Sequence, residues 1–522
     1  MVFKSDKNKL DLNKGYSILK NKNDLDYLAH LSNLLSKTII ESKFNFFGID
    51  KMHLKKCGMQ FLVQHILGFN FNKSILIAIG NKDKLMRFGL PQSWLETLGK
   101  NKSLKAETLE NKIKWIFTIL KWYAYGNIII INTFLKGFFK ITKNTSRKNF
   151  IYFDDLTPKS VSNNFKNDSK TIIDWHLKNF NFNKYDIYHD VKERNPIEKN
   201  DVLVRYSEFP FRCKISRLGW ISFLFQSFFV SIKVFLGFLK GDFLHALLLK
   251  EYPLIYLSKK ANKNDFALKY LFHNSTWLFR PLWTYQAEKN GSEVILYYYS
   301  TNISKLKFNK DYLKDNVKKL MTWNNYYVWD SYQKNYLNQY LPEANFNIVG
   351  PIWFESSGKK LPNFDKKTKI VSIFDIQTYK EDFYQTLGAS DRYLTTKNMI
   401  KFQDDIFKVL SNINNIKVVL KRKRNIRKGF HDESYLNHLT QIYNNEKFIQ
   451  ISPNYSATSL IENSFLSINY PVTSTALIAK SFNINSIYYD PTGKVDPKDR
   501  ALSGIKLVSG INELNKYIKE II

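Results

Sequence analysis

Four cations stand in a row at Lys421, Arg422, Lys423 and Arg424, with Arg427 and Lys428 close behind, and no acid interrupts the stretch from Lys417 onward. Ammonium and guanidinium groups at that density can hold phosphate oxygens, arginine in bidentate fashion. A second cluster, Tyr470-Pro-Val-Thr-Ser-Thr-Ala-Leu-Ile-Ala479, carries three hydroxyls, Thr473, Ser474 and Thr475, among small residues. Thr473 or Ser474 suits the cap of a helix whose first-turn N–H groups and dipole attract an anion. A third turn, Ser452 to Ser459 with Ser456 inside it, can shape a pocket for a nucleobase or a sugar, or can simply cap a helix. Asp375 suits a contact to a ribose or sugar hydroxyl. For proton transfer, His273 has the richest polar and aromatic setting of the histidines, and an imidazole near its ordinary pKa can deprotonate a hydroxyl. Asp330 and Glu355 are the carboxylate alternatives. Trp277, Trp283, Trp323, Trp329 and Trp353 can stack on sugar rings or fill a core.

Missing patterns narrow this chemistry. There is no GxGxxG fingerprint, no GxxxxGK[ST] loop and no HExxH, so dinucleotide redox, ATPase and metalloprotease readings lose their main support. The two cysteines, Cys57 and Cys213, make at most one disulfide and no four-thiolate metal site; no metal and no cofactor is expected.

The elements that must position these residues are clearest after residue 369. Strand-like runs at Lys369–Asp375, Ile416–Leu420, Phe448–Ser452, Phe465–Asn469 and Ile484–Tyr489 alternate with helical segments at Lys397–Leu410, Glu433–Tyr443, Ala457–Ser464 and Ala476–Phe482. Hydrophobic strands alternating with helices over short connections imply a parallel sheet covered on both faces. Ligands of such sheets bind at the carboxyl ends of the strands, where the basic run and the hydroxyl turn both fall. Gly, Pro, Ser and Lys without apolar period mark a linker over 356–368. The expected division is therefore 1–355, a linker, 369–510, and a terminal helix at 511–522. In the first half the runs Ser74–Gly80 and Val294–Tyr299 read as strands among helices.

Two apolar stretches stand apart. Leu218–Leu239 is long enough to cross a bilayer and contains one charge, Lys233. Ser222, Gln226, Lys233, Gly237 and Lys240 nevertheless fall within a sector of roughly 60°, and cations flank both ends, which favours a helix lying in the membrane plane or docked on the protein. Lys114–Lys143 mixes Trp, Tyr and Phe with lysines, a composition suited to an anionic bilayer surface. The chain has 522 residues and a formal charge of +33, with 44% hydrophobic and 16% aromatic residues, too many for a disordered polycation. Its start is polar and lacks the apolar core of a secretory signal, so a cytoplasmic protein, peripheral at the inner membrane face, is expected.

Pro471-Val-Thr-Ser474, Ser486-Ile-Tyr-Tyr-Asp-Pro491, His273-Asn-Ser-Thr-Trp, Arg280-Pro-Leu-Trp-Thr-Tyr and Gly350-Pro-Ile-Trp-Phe together resemble bacterial polysaccharide biosynthesis proteins named for a Pro-Phe-Thr-Ser motif, with Val472 in place of the Phe. The match runs from roughly residue 265 to 510. The Ser-Thr-Ala turn is also similar to the donor-phosphate turn of GT-B glycosyltransferases. The resemblance implies an α/β, GT-B-like fold: two Rossmann-like domains facing across a cleft, with helical insertions in the first. It also implies metal-independent transfer of a sugar from a nucleotide-sugar donor to an acceptor, here a lipid-linked glycan at an anionic membrane surface. Lys421, Arg422, Lys423, Ser456, Thr473, Ser474, Thr475 and Asp375 would then serve the donor, and His273 or Asp330 would activate the acceptor. Two departures stand out: Ile478 lies near where a ribose-binding Glu often sits, and Lys-Arg-Lys-Arg replaces a usual His-Pro. Asp24-Leu-Asp26 looks like the metal pair of another glycosyltransferase class but has no strand before it and reads as surface charge. Polyol-phosphate transfer or nucleotide-sugar epimerisation on the same fold are the alternatives, and a non-catalytic binder of nucleic acid or anionic lipid is the alternative of another class. Nucleic acid is the less expected partner.

Overall fold

The computed structural model describes residues 2–22, 27–38, 40–100, 104–139, 149–154, 156, 172–180, 185–191, 197–199, 202–273, 278–301, 306–307, 315–352, 361–365, 367–376, 378–380, 393–427 and 429–521. Two sheets organise them. The first holds β1 (Phe150–Asp154), β2 (Asp186–His189), β3 (Ile197–Lys199), β4 (Val202–Tyr206), β5 (Lys269–His273), β6 (Glu293–Tyr297), β7 (Asn325–Val328) and β8 (Asn345–Ile348), in the order β3-β4-β2-β1-β5-β6-β7-β8. All its pairings are parallel except β3 with β4. The second holds β9 (Lys369–Phe374), β10 (Ile416–Lys421), β11 (Phe448–Ile451), β12 (Leu466–Asn469), β13 (Asn485–Asp490) and β14 (Lys506–Ser509), all parallel, in the order β11-β10-β9-β12-β13-β14.

Setting the antiparallel edge strand aside, both sheets start in the middle, grow to one side, return and grow to the other. This is the doubly wound Rossmann order, and the expected pair of Rossmann-like units is present. The strand order reverses between β1 and β5 in one sheet and between β9 and β12 in the other. Each reversal parts the flanking connections and leaves a crevice at the carboxyl edge.

Central strands are apolar on both faces because helices cover both. Val371 and Ile373 of β9 are fully buried, as are Val418 and Leu420 of β10. The helix Thr396–Leu410 lays Met399, Phe402, Ile406 and Leu410 on that sheet, and Gly510–Ile521 closes it with Leu514 and Ile518. Among the described residues, the first 139 contribute helices and one isolated bridge, Leu85 with Lys105, but no strand to either sheet. The run Ser74–Gly80, expected as a strand, belongs to the helix Phe69–Gly80. A short apolar run fits either structure, and the neighbour decides: the amino-terminal helix approaches so closely that a Cβ on Gly15 would lie 1.9 Å from the Leu76 carbonyl.

Leu109–Phe139 and Arg217–Leu239 form an antiparallel pair. The Tyr123 hydroxyl and Ser231 Oγ are 2.8 Å apart, Ser231 donates to Asn127 at 2.7 Å, and Gly137 faces the Trp220 ring. Residues 140–143 of the expected second apolar stretch lie outside the described residues, as do Glu355, Trp277, Trp353, Lys428, Asp24 and Asp26. The two sheet units touch where Thr301 N–H donates to Ser474 Oγ at 3.2 Å and where Lys307 meets Asp496 and Asp499.

Candidate functional site

The carboxyl ends of β9, β10 and β12 set out the groups of the second crevice. In register, Leu420 of β10 pairs with Ile373 of β9, which pairs with Ile468 of β12. Arg422, Asp375 and Tyr470 therefore leave the sheet level with one another. With neighbouring strands about 4.8 Å apart, the basic run and the hydroxyl turn stand about 10 Å apart across β9.

The cations differ in how free they are. Lys421, the last residue of β10, turns its ammonium to the Arg422 carbonyl at 3.4 Å. Arg422 is held by its backbone N–H on Ile451, while its guanidinium is half-buried and its Nε has no hydrogen-bond partner among the described residues. A half-buried guanidinium without a carboxylate is costly unless a ligand completes it. Lys423 is exposed to solvent, yet surrounding protein desolvates its ammonium; this burial and the neighbouring Arg424 lower its pKa, while Asp375 pulls it back up. Arg424 is engaged with the Tyr379 hydroxyl and stands over that ring.

Asp375 is buried, and its Oδ2 accepts from Gln403 at 3.0 Å and from the Tyr435 hydroxyl. It is tied into the covering helices and reaches Lys423 through its field. Ser456 caps the helix Ala457–Glu462, accepting from Ser459 N–H at 2.8 Å.

The hydroxyl turn holds itself together. Thr473 occupies the cap position of Ser474–Ser481 but makes no side-chain cap; its hydroxyl donates back to the Tyr470 carbonyl at 2.8 Å. Thr475 donates inward to the buried Asn469 at 2.7 Å, and Ser474 accepts from Thr301 of the first unit. What this turn offers an anion is therefore the N-terminus of an eight-residue helix, rather than a row of hydroxyls. The turn is reached through Val472 at φ +69°, a conformation that costs a β-branched residue energy and that sequence reading gave no sign of. Ile478, where a carboxylate was missed, is buried in the core.

Across from this edge, His273 ends β5 at the reversal point of the first sheet. It is buried, stacks on the exposed Tyr299 at 4.4 Å and meets Tyr297 edge-on. Burial pushes its pKa down to about 4, so the imidazole is neutral at physiological pH. Asp330, beyond β7 on the same edge, caps the helix Ser331–Asn338 through Gln333 N–H at 2.7 Å. Burial raises its pKa, and the N–H groups of Gln333 and Tyr332 oppose the rise, as do Lys480 and Ser503 of the second unit. It is a residue of the inter-unit contact, two strands away from His273.

The structure thus brings Arg422, Lys423 and the Ser474 turn to one crevice and His273 to the other. It draws Asp375, Ser456, Thr473 and Thr475 into scaffolding bonds. Thr301 was missed, although the rule that directs attention to the residues following each strand, applied to β6, points at it. Two other motif blocks are framework. Arg280 is buried, bonds Thr284, the Thr322 carbonyl and Glu288, and lies 4.1 Å from the Tyr285 ring centre, while Gly350 takes φ +77° ahead of buried Ile352. A hollow of about 570 Å³ lined by Asn325, Lys334 and Asn345 opens at the starts of β7 and β8, the opposite edge.

Among solved structures, alpha,alpha-trehalose 6-phosphate synthase from Burkholderia multivorans is similar at 9% identity, covering 72% of this chain and 89% of that one, with a TM-score of 0.40. A UDP-glucosyltransferase from Polygonum tinctorium gives 10% identity, 72% and 90% coverage and a TM-score of 0.34. Sucrose-phosphate synthase from Thermosynechococcus elongatus gives 11%, 72% and 89%, and 0.36. No curated protein matches by sequence. The pattern of the polysaccharide biosynthesis PFTS motif protein family matches residues 228–518, a span that contains β5 to β14 and both crevice edges from His273 to the Ser474 turn. The chain belongs to that family.

Proposed function

We propose that the protein transfers a sugar from a nucleotide-sugar donor to an acceptor hydroxyl in surface polysaccharide assembly, the acceptor being a lipid-linked glycan. The observation that carries this reading is the placement, at the carboxyl edge around one Rossmann reversal point, of the half-buried Arg422, whose Nε has no hydrogen-bond partner among the described residues, and of Lys423 across β9 from a helix N-terminus. In the reaction the bond from the anomeric carbon to the donor phosphate breaks and a bond to the acceptor oxygen forms. The nucleotide leaves with the electron pair, and its growing charge falls where those cations and N–H groups stand. The acceptor's proton leaves on the other side, toward His273. Its imidazole is neutral and can accept it, but burial lowers its pKa to about 4 rather than leaving it near the ordinary value expected from sequence, so it is a weaker base than a free histidine. Exclusion of water by the closed units protects the donor from hydrolysis, and the Thr301–Ser474 bond is one contact that holds them together.

A panel of nucleotide sugars screened by thermal shift tests the reading, because a ligand that binds only the folded chain raises its melting temperature by mass action. One donor should stand out, and Arg422→Ala should weaken it about 10- to 100-fold, the cost of losing a charged hydrogen-bond donor. Equal, feeble shifts across the panel would sink the proposal.

A further inference from the structure

The paired helices Leu109–Phe139 and Arg217–Leu239 have one side on the protein and one side on nothing. On Arg217–Leu239 the buried positions are Trp220, Phe223, Ser227, Ser231, Val234 and Gly237. Phe225, Phe228 and Phe229, on the far side, keep 62%, 61% and 59% of their surface exposed. Its partner repeats the pattern, burying Trp115, Ile119, Gly126 and Ile130 while Phe117, Ile128 and Phe139 stay 67%, 61% and 73% exposed.

Taken at about 100° per residue, each helix presents four successive sectors: core, partner helix, exposed apolar face and polar flank. Because the helices run antiparallel, the two sequences of sectors mirror each other. Both apolar faces therefore look the same way, and the polar flanks run along the two outer sides. Lys114, Lys121 and Lys136 lie on one flank, and Gln226, Lys233 and Lys240 on the other. From Asn111 to Phe139 and from Arg217 to Lys240 there is no acidic residue. The shared face is about 30 Å long and about 15 Å wide, as large as the largest apolar patch a monomer ordinarily leaves in water, a patch that is often functional.

We infer that this two-helix face docks in the plane of a bilayer of anionic lipid, its phenylalanines in the acyl boundary and its lysine flanks at the headgroups. Charge selects the occupant: Lys114 and Lys136 are paired with Glu110 and Glu208, but Lys121 on one flank and Lys233 and Lys240 on the other have no ion pair among the described residues. A flat apolar strip bordered on both sides by such cations complements a phospholipid surface. A second copy would set the same cations against each other. Arg217–Leu239 is long and apolar enough to span, but the side it packs on the protein holds it to the domain surface. The face also reaches the cleft edge. Lys136 pairs at 3.1 Å with Glu208, which follows β4 at the carboxyl edge of the first sheet, and Phe209 packs near Trp220. Docking thus brings the acceptor side of the cleft to the membrane surface, a consequence that rests on the proposed transfer to a lipid-linked acceptor.

Flotation of the full chain with vesicles of phosphatidylcholine, alone or mixed with phosphatidylglycerol, tests the docking without any donor. The chain should float with the mixed vesicles and much less with the neutral ones. Phe117→Glu combined with Phe228→Glu, both at exposed positions, should lower the bound fraction about tenfold with an unchanged melting temperature. Lys121→Glu with Lys233→Glu should abolish the preference for the anionic vesicles. The inference is overturned if the native chain stays with the soluble fraction, or if the phenylalanine pair changes nothing. It is also overturned if that pair instead dissolves a dimer seen by light scattering, or if the protein resists a carbonate wash as a spanning chain does. Flotation without any donor-induced thermal shift would keep the docking and remove the transfer reading.

Discussion

At the reversal point of the first sheet stands His273, a buried neutral imidazole on the face of Tyr299; at the reversal point of the second stands a helix N-terminus, with Arg422 and Lys423 one strand away on the same edge. The two sheets share a strand order, so topology made both crevices and the few residues after each strand made them different. One edge joins aromatic rings and a neutral imidazole with the carboxylates Asp154, Glu208 and Asp330, a mixture suited to sugar hydroxyls and stacking; the other is cationic, suited to a diphosphate. A bond between a sugar and a nucleotide needs one of each, facing the other.

The strongest way to break this division is His273→Ala. If the aromatic edge supplies the proton acceptor, kcat falls about 10²- to 10⁴-fold while the donor-induced thermal shift stays as in the native chain. A fall in donor affinity with kcat intact would place His273 on the wrong side of the division.

The second test uses pH. His176, His189 and His273, all buried in the first unit, have pKa values pushed down by burial to about 3, about 4 and about 4. The unfolded chain takes up protons below about 6.5 and the native state does not, so the stability present above about pH 6.5 is lost as pH falls and levels off near 4. Each unit of depression corresponds to about 1.4 kcal/mol, so even partial realisation gives a loss of a few kcal/mol by pH 4.5. His176 sits among Phe153, Trp175 and Phe180, and His176→Phe should flatten the melting curve's dependence on pH across that window. An unchanged slope would show that the first unit is not the acid-sensitive one.

How readily the two units could be read from sequence follows the same division. In the second, the strands expected at 369–375, 416–420, 448–452, 465–469 and 484–489 lie within a residue or so of β9 to β13, because buried parallel strands are unbroken apolar runs between short connections. Only β14, half polar at Lys506 and Ser509, escaped notice. In the first unit the helices of residues 2–139 precede the sheet and Arg217–Leu239 interrupts it, so apolar runs such as Ser74–Gly80 had no alternating frame to place them. Within the site, the basic run and the turn were legible because carboxyl ends of strands are special positions. The bonds that occupy Asp375, Thr473 and Thr475 were not, since their partners Gln403, Tyr470 and Asn469 are chosen by folding rather than by spacing.

Smaller effects sharpen the comparison where the two edges meet. Ser474→Ala removes the acceptor of the Thr301 N–H and should cost about 1 kcal/mol, read as a drop of about one degree in the melting temperature of a chain this long. No change would mean that the units are held elsewhere, at Lys307 or Arg500.

The smallest expected change is at Val472, and its smallness is the point. A Val→Gly change at an ordinary half-buried site loses side-chain burial and gains unfolded-state entropy, together costing about 2 kcal/mol. At φ +69° glycine instead relieves a strain of about 1–2 kcal/mol that the β-branched side chain imposes. The terms nearly cancel, so Val472→Gly should shift stability by less than about 1 kcal/mol by denaturant melting. A loss of 2 kcal/mol or more would show that the turn is relaxed as it stands. A near-zero change accompanied by weaker donor binding would show that the cationic edge keeps a strained turn because that turn holds the helix N-terminus against the phosphate.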